Sequence, residues 1–234
     1  MNKDVYTRLA KLSTATISTQ LFKRGIRAVY MDGIAPLVPG QPTIAGPAFT
    51  MRCLPFREDL FDPEAFGDPK SSQRRMIEGA PEGSIVVIGA RGSTAAAVIG
   101  DILATRLKVR GVAGLVTDGA VRDAAGVAAS GLRVVCAGAS APANATAFSD
   151  GGLDLPIACG GVTVYPGDGI IADSDGAIVI PADLVADAVD GGEEQEKLEA
   201  WVLKQAESGT PIPGLYPPDD ETLARYKGDT EGNA

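Results

Sequence analysis

The chain contains no histidine among its 234 residues. That absence removes the commonest general base, the Ser-His-Asp and Cys-His nucleophile arrangements, and most zinc sites. Any chemistry must run on carboxylates, Arg, Lys, Tyr, hydroxyls, water and an oxygen-liganded cation. Cysteine is scarce too: Cys53, Cys136 and Cys159 are odd in number, far apart, and not at metal-ligand spacing. They read as buried free thiols in a reducing, cytoplasmic setting rather than a disulfide framework. Aromatic residues make up only 5% of the chain. No apolar run approaches the length needed to span a bilayer, and Met1-Asn2-Lys3-Asp4 leads into an amphipathic helix, not a signal peptide. Positive charge is in deficit. The net charge of -9 argues against a nucleic-acid or anionic-membrane partner, because both need clustered Lys and Arg. The short basic pairs Lys23-Arg24 and Arg74-Arg75 read as solvated faces.

What is present is a 45% hydrophobic share and 29 glycines, enough for a sizeable core with close helix–sheet packing. The length fits one domain with appendages. Val5 to Gly25 reads as one helix with Leu9, Leu12, Ile17, Leu21 and Phe22 on its apolar stripe. Residues 30–44 read as loop, Ala45 to Leu54 as strand, and 55–69 as a polar surface excursion. A helix is expected near Ser71 to Gly79, a strand over Ser84 to Gly89, a short helix after Asp123, and a strand over Arg133 to Ala137. From 150 to 181, short apolar runs separated by Gly160-Gly161, Pro166-Gly167-Asp168-Gly169 and Asp173-Ser174-Asp175-Gly176 read as consecutive hairpins or bends. Pro181 to Glu207 reads as helix, burying Val185, Val189, Leu198, Trp201 and Val202, with a possible break at Gly191-Gly192; a Pro-rich, then charged tail follows from Pro211.

The chemistry concentrates in Gly100-Asp101-Ile102-Leu103-Ala104-Thr105 and Asp118-Gly119-Ala120-Val121-Arg122-Asp123, with 20 residues between Asp101 and Arg122. Ile102 to Arg110 favours helix and holds no proline, Gly111 ends it, and Val112 to Thr117 suits a buried strand. A helix of that length spans roughly 15 Å and the strand roughly 20 Å. Packed antiparallel, they return the helix start to the strand's far end, so Asp101 would face Arg122 and Asp123. Two carboxylates beside free helix-start N–H groups suit a hard cation and an anionic substrate.

These segments resemble the class II pyruvate aldolases that cleave 4-hydroxy-4-methyl-2-oxoglutarate and 4-carboxy-4-hydroxy-2-oxoadipate, a family that also holds the regulator of ribonuclease activity A. The resemblance covers roughly residues 10–210. It includes Arg110-Gly111-Val112-Ala113-Gly114, Leu12 to Ser18, and Val162 to Pro181. It implies an α/β fold, a swivelling β/β/α domain over 1–210, with a C-terminal helix and an extended tail over 211–234 that packs on a neighbouring subunit. It also implies that Asp123 coordinates Mg2+ or Mn2+ directly and Asp101 through water. Arg122 would contact the pyruvyl part of the substrate, and the Gly100, Asp101, Ile102 and Leu103 backbone would bind its carboxylate. Trimers or hexamers are implied, with a glutamate, Glu196 or Glu199, reaching the site from a neighbour. Arg122 and Asp101 would then be the catalytic pair.

Retro-aldol cleavage of a 4-hydroxy-2-oxo acid builds negative charge on the 2-oxo oxygen, which a cation and a fixed guanidinium stabilise. The same apparatus would decarboxylate oxaloacetate. Two other readings stay open: a non-enzymatic regulator that binds a ribonuclease, and a lyase for sugar-derived 2-oxo acids. Elsewhere the residues read more plainly. Asp173 and Asp175 lack the later ligands of a calcium loop and read as a turn. Lys108 reads as an exposed charge near a helix end rather than a Schiff-base lysine. Gly89-Ala90-Arg91-Gly92 is neither a P-loop nor a dinucleotide fingerprint, but could wall the site, with Arg91 reaching a distal substrate carboxylate.

Overall fold

Ser13 divides the N-terminal amphipathic segment, which is two helices and not the one expected. α1 (Lys3–Leu9) ends before it, and α2 (Thr14–Lys23) starts on its side chain, which accepts the Thr16 N–H at 3.0 Å. A serine at this place can satisfy an otherwise orphaned helix-start donor, which is what makes the break favourable. The computed structural model describes residues 3–60 and 67–231, and the expected excursion over 55–69 falls partly outside them. Leu9, Leu12, Ile17 and Leu21 are buried as expected, whereas Phe22 is 60% exposed and stacks under Arg27.

The main sheet is built on β2 (Ile44–Pro55), which follows a short strand, β1 (Ala35–Pro36). After α3 (Ser72–Gly79) come β3 (Ile85–Gly89), β4 (Ala97–Ile99), α4 (Asp101–Val109), β5 (Gly114–Thr117), β6 (Ala120–Val121), α5 (Ala124–Ala129), β7 (Val134–Cys136) and β8 (Gly138–Ala139). The rest of the sheet region comprises β9 (Phe148–Leu153), β10 (Ile157–Cys159), β11 (Val162–Val164), β12 (Gly169–Asp173) and β13 (Gly176–Ile180). The eight-stranded sheet runs β1-β7-β5-β3-β2-β12-β13, with β9 also on β2. β2, β3, β5 and β7 are parallel, and the hairpin β12–β13 is antiparallel to β2. Residues 29–31 bond to β13, through Val179 N–H to Val29 O and Met31 N–H to Ala177 O, so the sheet curls nearly closed on itself.

β3 shows why the parallel strands read as unbroken apolar runs. Ile85 and Val87 enter one core, with α1, α2 and the hairpins, while Val86 and Ile88 enter another, with α3, α4 and α5. Both faces are covered, so alternation disappears. Two of the three expected turns close hairpins: Gly160 and Gly161, both at positive φ, turn β10 into β11, and Asp173 accepts the Asp175 N–H at 2.9 Å in the turn before β13, whereas the turn at 166–169 is a bend between β11 and β12, which do not pair. Asp173 also accepts the Thr14 N–H and hydroxyl at 2.8 Å each, tying that turn to the start of α2.

All three cysteines are buried and free. Burial first, then the Asp118 and Asp150 charges against an opposing Arg91, push the Cys53 thiol up to about 12. Cys53 is therefore expected to resist iodoacetamide at pH 8 in the folded protein and to react in urea. Mass spectrometry showing fast labelling of the native chain would contradict its burial.

The chain divides into two compact units, Met1–Val189 and Asp190–Ala234. In the second, α6 (Val185–Glu207) runs on without a break at Gly191-Gly192, and α7 (Asp220–Glu231) forms where only a charged tail was read. Trp201 meets Tyr226 edge-on at 5.7 Å and donates to Asp229 Oδ2 at 3.1 Å. Leu215 is buried in the turn between the helices, and Leu198 and Trp201 are only half-buried.

Candidate active site

The parallel strands do not simply stop at their carboxyl ends. β3, β5 and β7 each continue, after a bend, into a second short strand. These three, β4, β6 and β8, form their own parallel sheet in the same lateral order. The carboxyl ends of parallel strands are where α/β proteins place ligands, because helix starts and loops meet there. Here β4 delivers Gly100-Asp101 into the start of α4, and β6 delivers Arg122-Asp123 into the start of α5.

The two ends converge. A Cβ added at Gly100 would lie 2.9 Å from Asp123 Oδ2 and 3.1 Å from Arg122 Cγ; one added at Gly126 would lie 2.8 Å from Asp101 Oδ2. Glycine at both positions lets the start of α4 lie close against the Arg122-Asp123 pair and the start of α5 close against Asp101. The Arg122 Nε donates to Asp123 Oδ2 at 3.0 Å, with the two side chains 42% and 47% exposed. An ion pair that open contributes about 0–1 kcal/mol, so it does little to hold the fold. Asp123 also adopts a left-handed backbone, φ 51° and ψ 44°, a region that aspartate enters more readily than most residues.

Asp101 turns back to accept the Ile102 N–H at 2.7 Å. The first bond inside α4 is Ala104 N–H to Gly100 O, which leaves the Asp101 and Leu103 N–H groups without an acceptor within the helix. Those donors, with the helix dipole, face the space where an anion would sit.

Asp118 is a residue that sequence reasoning passed over as part of a motif. It is only 6% exposed and accepts three backbone N–H groups: Ala90 at 2.6 Å, Gly92 at 2.8 Å and Gly160 at 3.3 Å. It sits in the bend between β5 and β6 and so fixes the bend between β3 and β4 as well. The turn it holds includes Arg91, itself left-handed at φ 60°. Among the described residues Arg91 bonds to none of Asp101, Arg122 and Asp123; its charge is felt at Cys53. The expected signal was available, since an Asp-Gly pair between two short apolar runs marks a tight bend. Lys108 is exposed in the last turn of α4, as expected. Glu196 and Glu199 lie on α6 in the second unit, where Glu199 accepts from Gln195 at 2.9 Å.

The donor set fits a hard cation. Among the described residues no three His, Cys, Asp or Glu side chains gather. Asp101 and Asp123 are thus two carboxylates on a half-open surface, the kind of partial shell magnesium takes while keeping waters and substrate oxygens.

The family model for RraA-like proteins, described as Aldolase/RraA, matches residues 14–179. The chain belongs to the RraA-like family. A protein of Halalkalibacterium halodurans, provisionally named 4-hydroxy-4-methyl-2-oxoglutarate aldolase, is 36% identical over 143 residues, 61% of this chain and 63% of that protein. Protein DlpA of Legionella pneumophila is 31% identical over 182 residues, 78% of this chain and 28% of its own length. This RraA-like chain therefore spans less than two thirds of either curated relative. The crystal structure of Streptomyces coelicolor RraAS2, described as an unusual member of the RNase ES inhibitor RraA protein family, matches with a TM-score of 0.77. The identity is 32%, over 86% of this chain and 96% of that one. The mixed α/β fold, with its curled sheet and C-terminal helices, is the RraA-like fold expected from the resemblance. No helix among the described residues is long and apolar enough to cross a membrane.

Proposed function

We propose that this RraA-like protein is a divalent-metal-dependent lyase that cleaves a 4-hydroxy-2-oxo acid, such as 4-hydroxy-4-methyl-2-oxoglutarate, and releases pyruvate. The observation that carries this reading is the convergence of two helix starts: Gly100 lies against the paired Arg122 and Asp123, and Gly126 of α5 lies against Asp101. Asp123, with Asp101 behind it, would hold Mg2+ or Mn2+, which supplies Lewis-acid charge for the 2-oxo oxygen. Arg122 spends its Nε on Asp123, and its two terminal nitrogens have no partner among the described residues. They form a permanently charged fork for the 2-oxo acid end of the substrate. The Asp101 and Leu103 amides bind the substrate carboxylate. A water held by Asp101 takes the proton from the 4-hydroxyl. The C3–C4 bond then breaks, C4 becomes a carbonyl, and the electron pair is left as pyruvate enolate, which Arg122 stabilises until C3 takes a proton from water. Oxaloacetate decarboxylation passes through the same enolate and is expected as a side activity.

Assembly into trimers or hexamers, with Glu196 or Glu199 reaching a neighbour's site, belongs to the same proposal. So does a cytoplasmic location. The RraAS2 likeness favours a second reading, a binder of a ribonuclease-type partner, whereas the retained carboxylates favour the lyase.

The test mixes purified full chain, magnesium and 4-hydroxy-4-methyl-2-oxoglutarate, and follows pyruvate with a coupled dehydrogenase. Turnover is expected, to fall at least about 100-fold with excess EDTA and to return with added magnesium. Absence of turnover on a panel of 4-hydroxy-2-oxo acids and on oxaloacetate would remove the lyase reading.

A further inference from the structure

Two adjoining hollows meet at Gly67 and Arg74. The first, about 500 Å³, opens between the far end of β2, the start of α3 and the start of β9, and neither Asp101, Arg122 nor Asp123 lines it. Its apolar lining is Phe56, Ala145 and the almost fully buried Met51, Cys53 and Phe148, and Arg52, Lys70 and Arg74 bring cationic groups to it. Its volume lies within the roughly 300–1,000 Å³ range of small-molecule sites.

The charges around it are not equally free. The acids are spent on backbone donors. Asp150 accepts Ser72 N–H at 2.7 Å through Oδ2 and Gly152 N–H at 2.9 Å through Oδ1. Burial pushes its carboxyl up, but these bonds, with help from Arg75, outweigh burial and hold it below its ordinary value. Asp68 accepts the Lys70 N–H at 2.8 Å. Arg52 commits only its Nε, to Gly151 O at 2.8 Å. The Lys70 ammonium and the Arg74 guanidinium pair with no carboxylate among the described residues. A chain of net charge -9 has acids in excess, yet among the described residues no carboxylate pairs with these two cations.

We propose that this cleft is a second ligand site, separate from the lyase site, that takes a small organic anion with an apolar body. The anionic head lies against Lys70 and Arg74, where a guanidinium gives a paired, charge-assisted contact, and the hydrocarbon part lies beside Phe56 and Ala145, the less buried apolar residues of the lining. The proposal does not rest on the reaction proposed above.

The probe is anilinonaphthalenesulfonate, an aryl sulfonate that fluoresces in apolar surroundings, titrated into the full chain. Saturable one-to-one binding is expected. It should weaken at least about tenfold in the Lys70→Gln/Arg74→Gln double variant and recover in Arg74→Lys paired with native Lys70. The uncharged N-phenylnaphthylamine should bind at least about tenfold more weakly. Ser71 caps α3 through the backbone N–H of residue 74, so the variants keep that cap, and their circular dichroism should match the native chain. If the double variant loses helix, the single Arg74→Gln variant carries the comparison. Dye binding should survive Asp123→Ala. No saturable binding, equal binding of the neutral dye, binding unchanged in the charge-loss variants, or binding lost in Asp123→Ala would each overturn the proposal.

Discussion

The Gly100→Ala variant is expected to lose pyruvate release by about 100-fold while remaining folded, because a misplacement of about 1 Å at a reacting centre can cost that much. The backbone at Gly100, φ −121° and ψ −171°, is extended and open to any residue, so the substitution brings no backbone strain. What the methyl meets is Asp123 Oδ2 at 2.9 Å and Arg122 Cγ at 3.1 Å. Both must move, and nothing else in the core need respond. All charged groups are still present in this variant, so a loss of activity reports geometry alone. Asp123→Ala, which removes the carboxylate, should cost about 1,000-fold or more and abolish the response to magnesium. A Gly100→Ala enzyme with native kcat/KM would show that the closeness of the Arg–Asp pair to the start of α4 is irrelevant to turnover. An unaffected Asp123→Ala enzyme would dismiss the site.

The second large effect concerns stability. Asp118→Ala is expected to destabilise the fold by about 3–5 kcal/mol, since it strands charge-assisted donors that are costly to leave unmade. The Ala90 and Gly160 N–H groups are buried and cannot turn to water, whereas Gly92 is exposed and can. For a chain of this size each kcal/mol lowers Tm by about 2–4 °C, so a fall of about 10 °C is expected, with a matching shift in the urea midpoint. Asp118→Asn should recover little, because its amide nitrogen opposes one of the N–H groups that the second carboxylate oxygen accepted. A midpoint within about 0.5 kcal/mol of native, the scale of an ordinary surface change, would show that these backbone groups find other partners.

Much of this was legible before any coordinates. The helix–glycine–strand spacing from Asp101 to Asp123 is a length argument, and rise per residue alone brings its ends together. Local patterns located the hairpins through Gly160-Gly161 and Asp175-Gly176. The misreadings have different causes, one a local cap and others long-range. Apolar periodicity runs straight through Ser13, and only the side-chain bond to Thr16 shows that one helix has become two. Gly191-Gly192 looks like a break, yet the helix continues through both. Asp118 was read only as the start of the Asp118–Asp123 segment because its three partners come from segments that only the fold assembles. Arg74 read as a solvated charge because the hollow beside it is made by β2 and β9, distant in sequence.

The doubled strands carry one more implication. Seven residues, 90–96, separate β3 from β4, but only two separate β5 from β6 and one separates β7 from β8. Inserting a residue into either short joint would advance its strand by about 3.3 Å and put the Arg122-Asp123 wall out of step with its neighbours. The 90–96 segment can lengthen without that penalty. Room for a change of length therefore lies in residues 93–96, beyond the Ala90 and Gly92 amides that Asp118 holds.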